Sequence, residues 1–143
     1  MDKNVIVSLI GFQINEDMEP DVMELVTEGT YNKAGDLHSI SYQESETTGM
    51  DGTTTTITAS GDVLTLTRFG SVNSQFIFQR GIKHLSHYDT SFGAFTIGIT
   101  ARNVEIDIGE HGGNIRVGYE MAINDNHRVF NDIIMEFHES AGE

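Results

Sequence analysis

The sequence of 143 residues has no cysteine, one proline, and 8 basic side chains against 22 acidic ones. Each shortage excludes something. Without thiols neither a disulfide framework nor a thiolate metal site can form, and a reducing compartment suits the composition. The formal charge of −14 argues against nucleic acid, whose phosphates are held mainly by clustered Lys and Arg. Solubility alone accounts for an acidic excess of this size, without a cationic ligand. No stretch approaches the ~18 apolar residues of a membrane helix. The start, MDKNVIVSLIGFQI, lacks the basic and apolar regions of a signal and reads as a first strand, so a cytoplasmic protein is expected.

Period-two alternation fills the space these absences leave. Val5, Val7 and Leu9 alternate with Ile6, Ser8, Ile10, Phe12 and Ile14, so the first strand is apolar on both faces and is expected to be covered on both. Pro20 breaks the chain before a strand over 22–31, and Asn32 to Gly35 reads as a hairpin connection into a strand from Leu37 to about Ser45. The run TTTTIT over 53–58 has high strand propensity and two polar faces, which predicts a solvated edge or outer wall. Further strands are expected at 63–68, 75–79, 115–123 and 129–137, with the residues from about 139 onward fraying.

The most informative stretch is 94–108. Phe95, Ile97 and Ile99 occupy odd positions and Val104, Ile106 and Ile108 even ones, so a straight strand would turn one set to water. A β-bulge or bend around Thr100 to Asn103 restores the facing and lets one long strand wrap round a closed sheet. About nine or ten strands with turn residues between them and no helix-period segment give an all-β domain spanning residues 1–143. It is read as a closed or nearly closed antiparallel barrel of about 8–10 strands, because closure removes exposed edges.

Several short motifs recur in order: Arg68-Phe69-Gly70-Ser71-Val72, Phe76-Ile77-Phe78 with Gly81, and Tyr88-Asp89-Thr90-Ser91-Phe92-Gly93. Tyr42-Gln43-Glu44 precedes them and Gly113 to Tyr119 follows. This succession resembles the YwiB-like family of small bacterial proteins, mainly from Firmicutes, a domain-of-unknown-function family. The resemblance implies a calycin-like barrel, the architecture of lipocalins and fatty-acid-binding proteins, and no established activity or catalytic residue. The chain departs from ligand-binding calycins in having no tryptophan, so the G-x-W signature is missing.

Function rests on charges embedded in apolar alternation. Glu44 shares a face with Ile40 and Tyr42, and Arg68 with Leu64 and Leu66, so the two can meet inside the barrel as a structural ion pair or a polar anchor. The leading expectation is a non-enzymatic barrel binding a small molecule or peptide, with Glu44, Arg68 and Gln75 as anchors, Tyr42, Tyr88 and Tyr119 as walls, and Thr90 at a polar rim. A solid barrel serving protein interaction or homodimerisation is one alternative. A hydrolase or isomerase using Glu44 as acid or base is another. No cofactor or metal is expected: His84 and His87, three apart, point to opposite faces of a strand. Neither a nucleophile elbow nor a glycine-rich phosphate loop is present in the sequence.

Overall fold

The computed structural model describes residues 2–15, 21–45, 50–90, 93–123 and 127–140. Ten strands follow one another: β1 Asp2–Asn15, β2 Asp21–Ala34, β3 Leu37–Gln43, β4 Thr53–Ser60, β5 Val63–Gly70, β6 Asn73–Gln79, β7 Lys83–Thr90, β8 Gly93–Ile108, β9 Gly112–Ile123 and β10 His127–Glu139. Each pairs antiparallel with its neighbour in sequence, and β10 returns to pair with β1, closing an up-and-down barrel.

The inner face collects the residues that alternation assigned to it. Val5, Val7, Ile40, Ile57, Leu64, Phe78, Ile99, Ile115 and Met135 are buried almost completely. β8 changes register between Ala101 and Asn103, as the phase change in its sequence required. Ile97, Ile99 and Ala101 are inward before the bulge, and Val104, Ile106 and Ile108 pack against the core after it. Tyr31 closes the core at the end where β1 begins: its ring stacks on Phe137 at 5.3 Å, and its hydroxyl lies 2.7 Å from His38 Nδ1.

Several expectations need correction. β4 is no edge, because it pairs with β3 on one side and β5 on the other. Thr53 and Thr55 face inward and are fully buried, so the run that looked solvated is polar inside. β2 extends through Ala34, with Asn32 and Lys33 paired to Ser39 and His38, and the turn falls at Gly35 and Asp36. The carboxyl-terminal strand holds through Glu139, whose amide donates to His111 O at 2.9 Å, and Ser140 N donates to Asn4 O at 2.9 Å. Lys3 Nζ, 2.7 Å from Glu139, clasps the same end, and residues 141–143, where fraying is also expected, lie outside the described residues. β1 is covered on its inner face only, with Phe12 and Ile14 exposed on the other.

The wall is uneven. β6 and β7 share only two register pairs, Asn73 with Asp89 and Ser74 with Tyr88, whereas β7 and β8 pair from Lys83–Thr100 to Thr90–Gly93. Away from that stitch the end of β6 turns to β8 directly: Arg80 bridges Ala101, and Gly81 N donates to Ala101 O at 3.0 Å. The result is a seam along β6 and β7.

Candidate functional site

Tyr42, Thr55, Arg68 and Ser74 stand directly opposite one another on β3, β4, β5 and β6, and all four point into the barrel. Opposed side chains on adjacent strands are ~5 Å apart at Cβ, so the register makes a continuous polar row across the inner wall. Glu44 extends it one pleat further, because Glu44 N donates to Thr53 O at 2.8 Å and carries the β3–β4 ladder past Gln43. On the other side of the row in the barrel lies the apolar layer of Ile40, Ile57, Leu66 and Phe76. The polar row therefore caps one end of the core.

Glu44 and Arg68 come together as their faces predicted. Glu44 Oε2 lies 4.0 Å from Arg68 Nε and accepts a short hydrogen bond from the Thr55 hydroxyl. Their side chains are 2% and 15% exposed, so both charges are largely withdrawn from water and depend on each other. Burial pushes the Tyr42 phenol well above the ordinary tyrosine range, reinforced by the Glu44 carboxylate and opposed by Arg68. Tyr42 is therefore a neutral hydroxyl here. Thr53, one pleat from Thr55, accepts the Val72 amide on its hydroxyl at 3.2 Å and anchors the turn after β5. That turn depends on Gly70, whose φ is +131°, where a Cβ would stand 2.2 Å from Gly52 O.

The pairing leaves capacity unused. Arg68 Nε and Ser74 Oγ are buried without a hydrogen-bond partner among the described residues, and they sit on residues directly opposed in the β5–β6 ladder. Such orphaned groups are uncommon in folded proteins, since each forfeits its hydration. Asn131 Nδ2, on the inner face of β10, is a third, although its side-chain oxygen accepts from Gln13 Nε2 at 3.2 Å.

Among the residues proposed from sequence, Tyr42, Glu44 and Arg68 meet in this row. Gln75 does not: it is exposed on β6, because period two puts it on the face opposite Phe76 and Phe78. Its neighbour Ser74 takes the inner position and was missed, although the same alternation points to it. Tyr119 is buried but belongs to the apolar core, where its ring lies 4.6 Å from Phe78. Tyr88 pairs through its backbone with Ser74 and Phe95, so the row's register continues into β7; the side chains of Tyr88 and Thr90 lie outside the described residues. Phe92, in the same Tyr88–Gly93 motif, also lies outside them. His84 is partly buried with Nε2 3.2 Å from Gln79 Oε1, while His87 is exposed. No three histidine or carboxylate groups gather as a metal site among the described residues. Nor, among those residues, is any helix long and apolar enough to cross a membrane.

Fold and site together define a ten-stranded up-and-down barrel with a polar row capping one end of its core. Residues 7–135 match the family described as a domain of unknown function (DUF1934), and the chain belongs to that family. It is 28% identical over 112 residues to the uncharacterized beta-barrel protein YwiB of Bacillus subtilis (strain 168), covering 78% of each chain. The crystal structure of the ywiB protein from Bacillus subtilis superposes with a TM-score of 0.86 at 18% identity, over 98% of this chain and 94% of that one. The second likeness establishes the barrel and nothing about chemistry.

Proposed function

We propose that this protein is a non-enzymatic, calycin-like binding barrel that holds a small carbonyl-bearing molecule, of amide type, at its polar end. The observation that carries the reading is the orphaned pair, Arg68 Nε and Ser74 Oγ, on opposed residues of β5 and β6. An N–H and a hydroxyl side by side suit one acceptor oxygen. The Glu44 carboxylate beside Arg68 already balances the guanidinium charge. A neutral acceptor fits that balance better than a full anion, and the −14 charge of the chain weighs the same way. The closed up-and-down strand order supports the calycin-like reading.

Native mass spectrometry of the protein recovered from its own cells, before and after denaturation, tests this. A stoichiometric carbonyl-bearing molecule, lost in Arg68→Met, is expected. A bare chain would remove the basis of the proposal, and retention of the molecule by Arg68→Met would remove the anchor.

The filled apolar half of the interior favours a second reading, a protein-interaction barrel that works through its outer surface. Phe78, Ile40, Ile57, Leu64 and Ile99 occupy the space where a deep lumen would lie, and Val26 is 71% exposed outside.

A further inference from the structure

We propose that the outer face of β2, β1 and β10 is a docking surface for a cationic amphipathic helix of another protein. This rests on the interaction reading and is independent of the polar-end ligand. From Ile6 onward, the residues of β1 opposite in facing to buried Val5, Val7 and Leu9 are Ile6, Ser8, Ile10, Phe12 and Ile14, a row without a single charge. Phe12 and Ile14 are exposed, and on β2 Val22 and Val26 are 57% and 71% exposed. The ladders set Phe12 beside Val22, Ile10 beside Ile134 and Ile14 beside Phe130, so these side chains form an apolar area across three strands, crossed on β10 by Asp132 opposite Phe12.

Charge selects the occupant. Glu24 stands opposite Ile10, Glu28 opposite Ile6, and Glu136 opposite Ser8, all exposed. None of these three carboxylates pairs with a cation among the described residues. Of the cations nearby, Arg102 lies 3.8 Å from Asp132 and over the Phe130 ring, Arg128 lies 3.6 Å from Glu120, Lys3 pairs with Glu139, and exposed Arg116 stands in register between Ile134 and Glu105, so one carboxylate outside the three faces it. The face thus offers apolar area flanked by uncompensated negative charge. A second copy of the chain would set these carboxylates against themselves, and an anionic lipid surface would be repelled. A cationic partner gains from both features.

Backbone geometry selects its form. Both edges of β1 are consumed by ladders, to β10 from Val5 to Asn15 and to β2 from Asp2 to Gln13, so no strand can add there. The partner must satisfy its own backbone and present side chains, as a helix does. Residues two apart on a strand are ~6.8 Å apart, close to the ~6 Å rise between i and i+4 on a helix. One apolar helical row can therefore follow Ile10, Phe12 and Ile14 while basic flanks reach Glu24 and Glu28 on one side and Glu136 on the other.

The probe is a fluorescent peptide of Leu and Lys with Leu at i, i+3, i+4 and i+7, compared by anisotropy with a scramble of identical composition. The intact protein is expected to be monomeric by light scattering and to hold the helical peptide at least tenfold more tightly than the scramble. Val26→Lys and Glu24→Lys should each weaken it fivefold or more, with circular dichroism unchanged. Phe69→Lys, at an exposed apolar residue elsewhere, should not. Equal affinity for helical peptide and scramble overturns the proposal, as does equal loss from Phe69→Lys. A dimer that Val26→Lys dissociates makes a second copy the occupant: the interaction reading then stands and the cationic helix falls.

Discussion

Arg68 holds the polar end together by standing between two obligations, the Glu44 carboxylate 4.0 Å from its Nε and the unpartnered hydroxyl of Ser74 across the ladder. Arg68→Met leaves Glu44 buried without its cation and is expected to cost about 3 kcal/mol in urea unfolding at neutral pH. Adding Glu44→Gln removes the stranded charge, so the double variant should recover most of that loss, and a double-mutant cycle reads the coupling directly. The tyrosines give a second reading at this scale. Burial raises the phenol pKa of both Tyr31 and Tyr42. A group whose folded pKa is raised contributes stability that is complete below its unfolded pKa of ~10 and is lost as pH rises through the folded value. Ultraviolet titration should therefore show no phenolate from Tyr42 near pH 10, its absorbance appearing only with the alkaline loss of near-ultraviolet circular dichroism. Early ionisation of all four tyrosines would mean that the polar row is open to water.

Among the elements, β6 and β7 form the weakest join, with two register pairs where β1 and β2 run paired from Asp2 to Gln13. Backbone amides of 75–78 and 84–87 should exchange with deuterium faster than those of β9, and uniform protection along the wall would contradict the seam. β9 depends on a different constraint. A Cβ at Gly112 would stand 2.3 Å from Phe137 O, so Gly112→Ala must part β9 from β10 and should lower the melting temperature by several degrees. Alternation made most of this element structure legible from sequence, including the bulge in β8, because period two and its change of phase are local properties. Legibility ended where facing depends on neighbours. TTTTIT has the same pattern whether Thr53 and Thr55 point in or out, and only pairing with both β3 and β5 makes them interior. Gln75 is polar, but its own alternation with Phe76 and Phe78 turns it outward, while Ser74, next to Asn73, has a local pattern that suits a turn as well as an inward position. The meeting of Glu44 with Arg68 was legible, whereas the orphaned atoms depend on ångström-scale geometry that no spacing encodes.

For the whole molecule, closure of the ring rests on β1 and β10, whose outer ends are clasped by Lys3, Glu139 and His111. The hydrogen bond from Lys3 is the main cause that lowers the Glu139 pKa, with His111 adding to it, and the partner hydrogen bond raises that of Lys3. A lowered carboxylate pKa gives stability that is present above the unfolded value and lost as pH falls through the folded one. The clasp should release at the acid edge, below about pH 4, and amides at the ends of β1 and β10 should lose protection there before the rest of the barrel. Glu139→Gln should abolish that early step and leave the remaining acid transition in place. The same antiparallel register has a mechanical consequence. The outer ends of β1 and β10 lie side by side, with Val5 facing Glu139 and Asn15 facing Val129 at the far end. A force pulling residues 2 and 140 apart would load one rung at a time, as in opening a zipper. The barrel should therefore yield at low force when stretched from these ends, and resist far better when held across β1 and β2, at residues 13 and 32, where the rungs are sheared together.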